Sequence, residues 1–269
     1  MFSAFRPLLT LICLSLPTLA DPAAPADKLP GQITLAATHW CPYSCDPQQT
    51  AGRSGIISEY LTELLARHQV RLEIRFLPWS RALAQARGGV VDGLLTAVPD
   101  EAPELTFVDS ATAFYQDCFY VAENSDWQYQ SAASLDAVRL AYIKDYGYDE
   151  PLASHIKQSA NTLEVLGSEA SQRMALLVRG GRAQAMVEDH WVARWEQQNG
   201  RHNTQLKNAG CLQKNPFYLA FNSDKPYILN LLKLLNKELA DAANQQRLQQ
   251  LARPYLNSTS GNRASSGTE

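Results

Sequence analysis

From Ile33 to Tyr255 the chain switches repeatedly between two hydrophobic periods: short apolar runs of strand length, and longer segments with apolar residues every three or four positions. That alternation dictates β/α units around a mainly parallel sheet, because a helix with one apolar stripe must bury it against a sheet face. Ile33–Ala37 reads as the first strand. Gly55 then opens a helix with apolar residues at 56, 57, 60, 61, 64 and 65. Val70–Phe76 is the next strand, Trp79–Ala86 a helix closed by Gly88-Gly89, and Asp92–Ala97 the third strand, which completes a β-α-β-α-β unit. A second cycle repeats it: Cys118–Ala122, Leu140–Ile143, a helix near 149–159, Thr162–Leu166, a helix over 168–179, and Ala185–Val187. A last strand, Phe217–Phe221, precedes a helix from about Pro226 with a stripe of leucines at 231, 232, 235 and 239. A final helix carries Leu248, Leu251 and Tyr255.

The ends read differently. Residues 1–20 have the form of a secretory signal peptide: one positive charge at Arg6, an apolar stretch Leu8–Leu16, and Thr18-Leu19-Ala20 as a small-residue cleavage site. Cys13 is preceded by Ile12 rather than the Gly or Ala of a lipoprotein signal, so no lipid anchor is expected. No later stretch approaches the roughly 20 apolar residues of a membrane helix. Residues 257–269 form a polar tail without apolar anchors. The whole chain has 24 basic and 27 acidic side chains; without Arg6 the balance is 23 − 27 = −4, which gives no reason to expect a nucleic-acid partner. The four cysteines after the leader, 41, 45, 118 and 211, are an even number in an export context, so two disulfides are expected, with zinc as the competing use. The histidines form no ligand-spaced cluster beyond His39 near Cys41, so neither metal nor cofactor is expected. No phosphate loop, G-x-S-x-G elbow or H-E-x-x-H is present. An enzyme is therefore not the first expectation.

Several segments taken in order carry a resemblance: Trp40-Cys-Pro-Tyr43, Gly55-Ile-Ile-Ser-Glu59, Pro78-Trp-Ser-Arg81, Gly88-Gly-Val-Val-Asp92-Gly, Phe107 before Phe114-Tyr115, Gly180–Asp189, and Tyr218–Phe221. This pattern resembles the family 3 bacterial extracellular solute-binding proteins, periplasmic receptors best known for amino-acid import. The resemblance implies a type II, two-lobe periplasmic-binding-protein-like α/β fold, with residues 28–115 and 217–256 in lobe 1 and 116–216 in lobe 2. Two hinge strands would join the lobes around a ligand cleft. It also implies a periplasmic monomer that serves an ABC importer or a sensor. Cys118 and Cys211 would fall beside the two hinge crossings and pair, while Cys41-Pro-Tyr-Ser-Cys45, with three intervening residues, reads as a loop staple rather than a redox pair. One departure stands out. Where amino-acid-binding members carry Thr-Pro-Glu-Arg after the third strand, this chain has Val98-Pro-Asp-Glu101, so an acid replaces the arginine that would clamp a ligand carboxylate. The expected ligand is therefore a small polar or amine-bearing solute, and a polyamine-like or otherwise amine-bearing one fits that charge balance better than a standard α-amino acid.

Candidate ligand residues follow. Trp40, Tyr43 and Trp79 lie past strand ends, where aromatic faces stack a ligand or attract its cation, the alternative being lobe packing. Arg81 could restore positive charge or pair with Glu59. Glu101 is the substituted acid. Tyr146 and Tyr148 sit in the turn after a lobe 2 strand. Asp189 matches the family acid that receives a ligand ammonium, or else caps the helix from His190 onward. Two rivals stand beside the receptor reading: a cyclohexadienyl-dehydratase-like enzyme on the same scaffold, and a sensory or docking module with a vestigial cleft.

Overall fold

The computed structural model describes residues 28–50, 52–167, 169–199 and 206–256; the expected leader over 1–20 and tail over 257–269 lie outside the described residues. In chain order the elements are β1 (Gln32–Ala37), α1 (Ile56–Arg67), β2 (Arg71–Phe76), α2 (Trp79–Arg87), β3 (Gly93–Ala97), β4 (Thr106–Phe107), β5 (Ala113–Val121), β6 (Leu140–Ile143), α3 (Leu152–Gln158), β7 (Thr162–Val165), α4 (Ala170–Arg179), β8 (Ala185–Asp189), α5 (His190–Asn199), β9 (Lys207–Phe221), α6 (Ile228–Ala240) and α7 (Ala242–Leu256). The strands hydrogen-bond in the order β2-β1-β3-β9-β5-β8-β6-β7, and β4 also pairs with β9.

The expected periods became the expected elements. All six apolar positions read for α1 are buried, as are the leucines at 231, 232, 235 and 239 in α6. Gly55, at the start of α1, holds φ at 96°, and a Cβ there would lie 2.6 Å from the Tyr43 carbonyl oxygen, so a side chain is excluded on two counts. Its N–H donates to the Tyr255 hydroxyl, which ties α7 to α1.

Two strands are longer than their apolar runs. The run Cys118–Ala122 is the end of β5, which begins at Ala113, and Phe217–Phe221 is the last third of β9, a strand of 15 residues. Both cross between the two halves of the molecule. β9 pairs antiparallel with β3 and β4 through 218–221, and with β5 through 207–217. On one side β1 pairs parallel with β2 and β3; on the other β6 pairs parallel with β7 and β8. Each half of the sheet is packed on both faces, giving four apolar clusters. Helix α5 is shared: Ala193 packs with the β6–β8 half, whereas Val192 and Trp195 join the cluster of the β1–β3 half, Trp195 against Tyr255 at 5.8 Å.

Both expected disulfides form, Cys41–Cys45 and Cys118–Cys211. The second staples β5 to β9 where Cys118 and Cys211 face each other in register. No helix among the described residues is long and apolar enough to cross a membrane.

Candidate functional site

Parallel strands leave their carboxyl ends at one edge, and in open α/β sheets that edge forms the ligand crevice. Here two such edges meet. Thr38 and Trp40 follow β1, Trp79 follows β2, Val98 and Glu101 follow β3, Tyr146–Tyr148 follow β6, and Glu188 is the last residue but one of β8. Together with Thr96, Tyr115, Asp117 and Phe217 from the strands between them, they enclose a cavity of about 50 Å³.

The walls are aromatic. Trp40 packs against Tyr43, Tyr115 and Phe217 with ring centroids 4.6, 6.5 and 5.5 Å away, and Trp79 meets Tyr146 edge-on at 6.3 Å. The polar groups are acids. Glu101 accepts the indole N–H of Trp79 (3.1 Å) and the backbone N–H of Val98 (3.0 Å), and across the cleft the backbone N–H of Gly147 (2.6 Å). Burial pushes its carboxyl up to about 7, although these donors pull the other way. Glu188 accepts the Trp40 indole N–H (3.4 Å), the Asp189 N–H (2.9 Å) and the Ser171 hydroxyl, and burial likewise raises it to about 7. Asp117 is 5% exposed, and its Oδ2 has no hydrogen-bond partner. Its carboxyl is raised well above the usual range, first by burial and then by the charges of Asp189, Glu188, Asp149 and Glu101. Among the described residues lining the cavity there is no Lys, Arg or His. No group of three His, Cys, Asp or Glu among the described residues could hold a metal.

The eight residues singled out in the sequence separate into two groups. Trp40, Trp79, Glu101, Tyr146 and Tyr148 line the cavity. Tyr43, Arg81 and Asp189 do not. Tyr43 is buried in the core beside Trp40, its hydroxyl 3.1 Å from the Phe114 carbonyl and 3.5 Å from Asp189. Arg81 is exposed on α2, and Glu59, its suggested partner, receives the Tyr255 hydroxyl instead. Asp189 behaves as the helix cap: Oδ1 accepts the N–H groups of Trp191 (2.8 Å) and Val192 (3.0 Å), and Oδ2 that of Gln116 (2.8 Å). Its neighbour Glu188 takes the cleft position. Sequence reading missed Asp117, Tyr115 and Phe217. A lone acid in an otherwise apolar strand, as Asp117 is before Cys118-Phe-Tyr-Val, was the available signal, since strands rarely bury an unpaired carboxylate without use for it.

No family model matches the chain, and no curated protein matches it. Solved structures do. A histidine kinase sensor domain with similarity to periplasmic binding proteins superposes with a TM-score of 0.70 at 16% identity, over 84% of this chain and 96% of that one. The amino acid ABC transporter substrate-binding protein AbpA from Streptococcus pneumoniae, bound to L-arginine, gives 0.69 at 15% identity, over 86% and 97%. An ancestral amino-acid-binding protein, a precursor of cyclohexadienyl dehydratase, gives 0.65 at 17% identity, over 84% and 95%. The fold is therefore the two-lobe α/β fold of the periplasmic-binding-protein type. Within it, the site is an aromatic, acid-lined cleft at the meeting of the two lobes.

Proposed function

We propose that this protein is an exported solute-binding protein whose cleft captures a small amine-bearing solute and presents it to an ABC importer or a membrane sensor. The observation that carries the reading is Asp117, a nearly fully buried carboxylate with one oxygen unpartnered, lining a cavity walled by aromatic rings. A buried carboxylate is costly until a cation meets it, and aromatic faces attract the same cation. Residues 28–115 and 217–256 serve as one lobe and 116–216 as the other, with α5 leaning on both. Two disulfides support an oxidising compartment reached through the 1–20 leader. The transporter-linked and sensor-linked proteins that share the fold support either kind of downstream partner. In this reading Trp40, Trp79, Tyr115 and Phe217 enclose the ligand, Asp117 and Glu188 receive its ammonium, and Tyr146 and Tyr148 close over it.

The test is a thermal-shift screen of small amines, amino acids and carboxylic acids against the mature protein, followed by calorimetric titration of any hit. Saturable one-to-one binding of an amine is expected; a screen in which only anions bind, or nothing does, removes the reading. A second reading, acid–base catalysis on a cyclic acid, draws on Glu101 and Glu188 being held near neutrality. A cleft lined by acids and without a cationic group has nothing to hold an anionic substrate. Turnover of such an acid, followed by absorbance, would restore the enzyme reading.

A further inference from the structure

Of the carboxylates in the cleft, Glu101 is the one already committed to both lobes. Its Oε1 accepts N–H groups from Trp79 on one side and Gly147 on the other, and its Oε2 accepts that of Val98. Three donors on one carboxylate is the arrangement a receptor offers to the carboxylate of a bound guest. Here those three donors are taken up by the protein's own side chain. The fit leaves no slack: a Cβ on Gly147 would lie 2.2 Å from Val98 Cγ2 and 2.7 Å from Glu101 Cγ. Beside it the Tyr115 hydroxyl reaches the Gly147 carbonyl at 3.3 Å, and Ser80 donates to Asp145 across the same seam.

We infer that Glu101 is a built-in carboxylate latch that draws Gly147 onto the Trp79–Val98 side of the cleft, and that the ligand is consequently an amine without a carboxylate of its own. The inference rests on the cleft being a solute site, as proposed above, and sharpens it to a ligand class. A ligand carboxylate entering the cavity would face Glu101, Asp117 and Glu188 with no Lys, Arg or His in the lining. It would be a buried anion facing acids, with no cation to offset its charge, and its binding would cost more than its remaining contacts return. An ammonium alone meets Asp117 Oδ2, a buried carboxylate oxygen without a partner. The division of labour is then fixed: Glu101 supplies closure, and Asp117 with Glu188 supplies charge recognition.

The test uses matched pairs that differ only by the α-carboxylate: agmatine and arginine, cadaverine and lysine, putrescine and ornithine, histamine and histidine, ethanolamine and serine. Each is titrated calorimetrically into the full mature protein. At least one amine should bind on the order of a hundredfold tighter than its amino acid, an affinity ratio equal to about two steps of tenfold. An amino acid that binds as well as its amine overturns the inference while leaving the solute-binding reading intact. Binding by no member of any pair, with other solutes bound, also overturns it; no solute at all bound in the wider screen removes the parent reading.

The latch itself is tested by Glu101→Gln and Gly147→Ala. In E101Q the amide NH2 confronts a backbone N–H that needs an acceptor, so amine affinity should fall by roughly tenfold or more while the circular dichroism spectrum is retained. G147A should keep the lobes from meeting, with the same loss of affinity and a larger radius of gyration in ligand-saturated solution. Wild-type amine affinity in both variants would mean that Glu101 is a local structural acid, and the latch would be discarded.

Discussion

At the scale of single residues, two neighbouring acids on β8 show how far a residue type can be read and where position takes over. The Glu188-Asp189 pair was visible in the sequence, and so was the rule that adjacent strand residues face opposite ways. Which of the two would face the cleft was not, because that depends on where the strand stops. It stops at Asp189, so this carboxylate turns to the exposed N–H groups opening α5, and Glu188 is left lining the cavity. Asp189→Ala should accordingly lower stability by about 1–2 kcal/mol, the usual cost of a lost cap, whether or not ligand is present; chemical denaturation with and without the best amine measures it, and an effect confined to the liganded protein would return Asp189 to the binding site. Asp117→Asn should do the reverse. Removing an unpartnered buried acid leaves the unliganded melting temperature unchanged or higher and abolishes the ligand-induced shift. A retained shift would exclude Asp117 as the ammonium partner.

At the scale of elements, periodicity carried most of the fold, and it failed at the two strands that make this a two-lobed molecule. α1 and α6 follow from their stripes because each helix faces one sheet and one solvent. β5 and β9 do not keep one environment along their length. The stretch Cys211–Pro216 of β9 mixes Leu, Gln, Lys, Asn and Pro, since it crosses between lobes with little core on either side, and none of its residues is buried. A hydrophobic pattern cannot mark a strand where hydrophobic burial does not hold it. The disulfide does part of that work. Cys118 and Cys211 close a loop of 93 residues, and the chain-entropy account assigns such a bridge on the order of 4–5 kcal/mol. The double variant Cys118→Ser with Cys211→Ser should lose about that much in denaturant unfolding, with the two lobes' transitions separating; a non-reduced digest of the wild type should yield the 41–45 and 118–211 linked peptides. Free thiols at 118 and 211 would contradict the pairing.

At the scale of the whole molecule, the cleft acids make stability depend on pH in a direction that a ligand should reverse. Burial raises Glu101 and Glu188 to about 7 and Asp189 to about 6, and it raises Asp117 well above the usual carboxylate range. A group whose folded pKa lies above its unfolded one contributes its full stability below the unfolded value, near 4, and loses it as pH rises through the folded value. The contribution of these acids therefore declines between about pH 4.5 and 7.5. His39 and His190, both lowered chiefly by burial, act the other way, gaining stability as pH rises toward their unfolded value near 6.5. Asp149 and Glu196, also raised chiefly by burial, add to the acids' side, so the melting temperature should be lower at pH 8 than at pH 5. Saturating amine should flatten that slope, because an ammonium beside Asp117 and Glu188 favours their ionised forms and brings their pKa values back toward those of the unfolded chain. Binding should release protons near neutrality, read as an apparent enthalpy that varies with the ionisation enthalpy of the buffer. A melting temperature that rises steadily from pH 5 to 8 without ligand, or amine binding without proton release, would show that these acids are not the charge the cleft holds in wait for its cation.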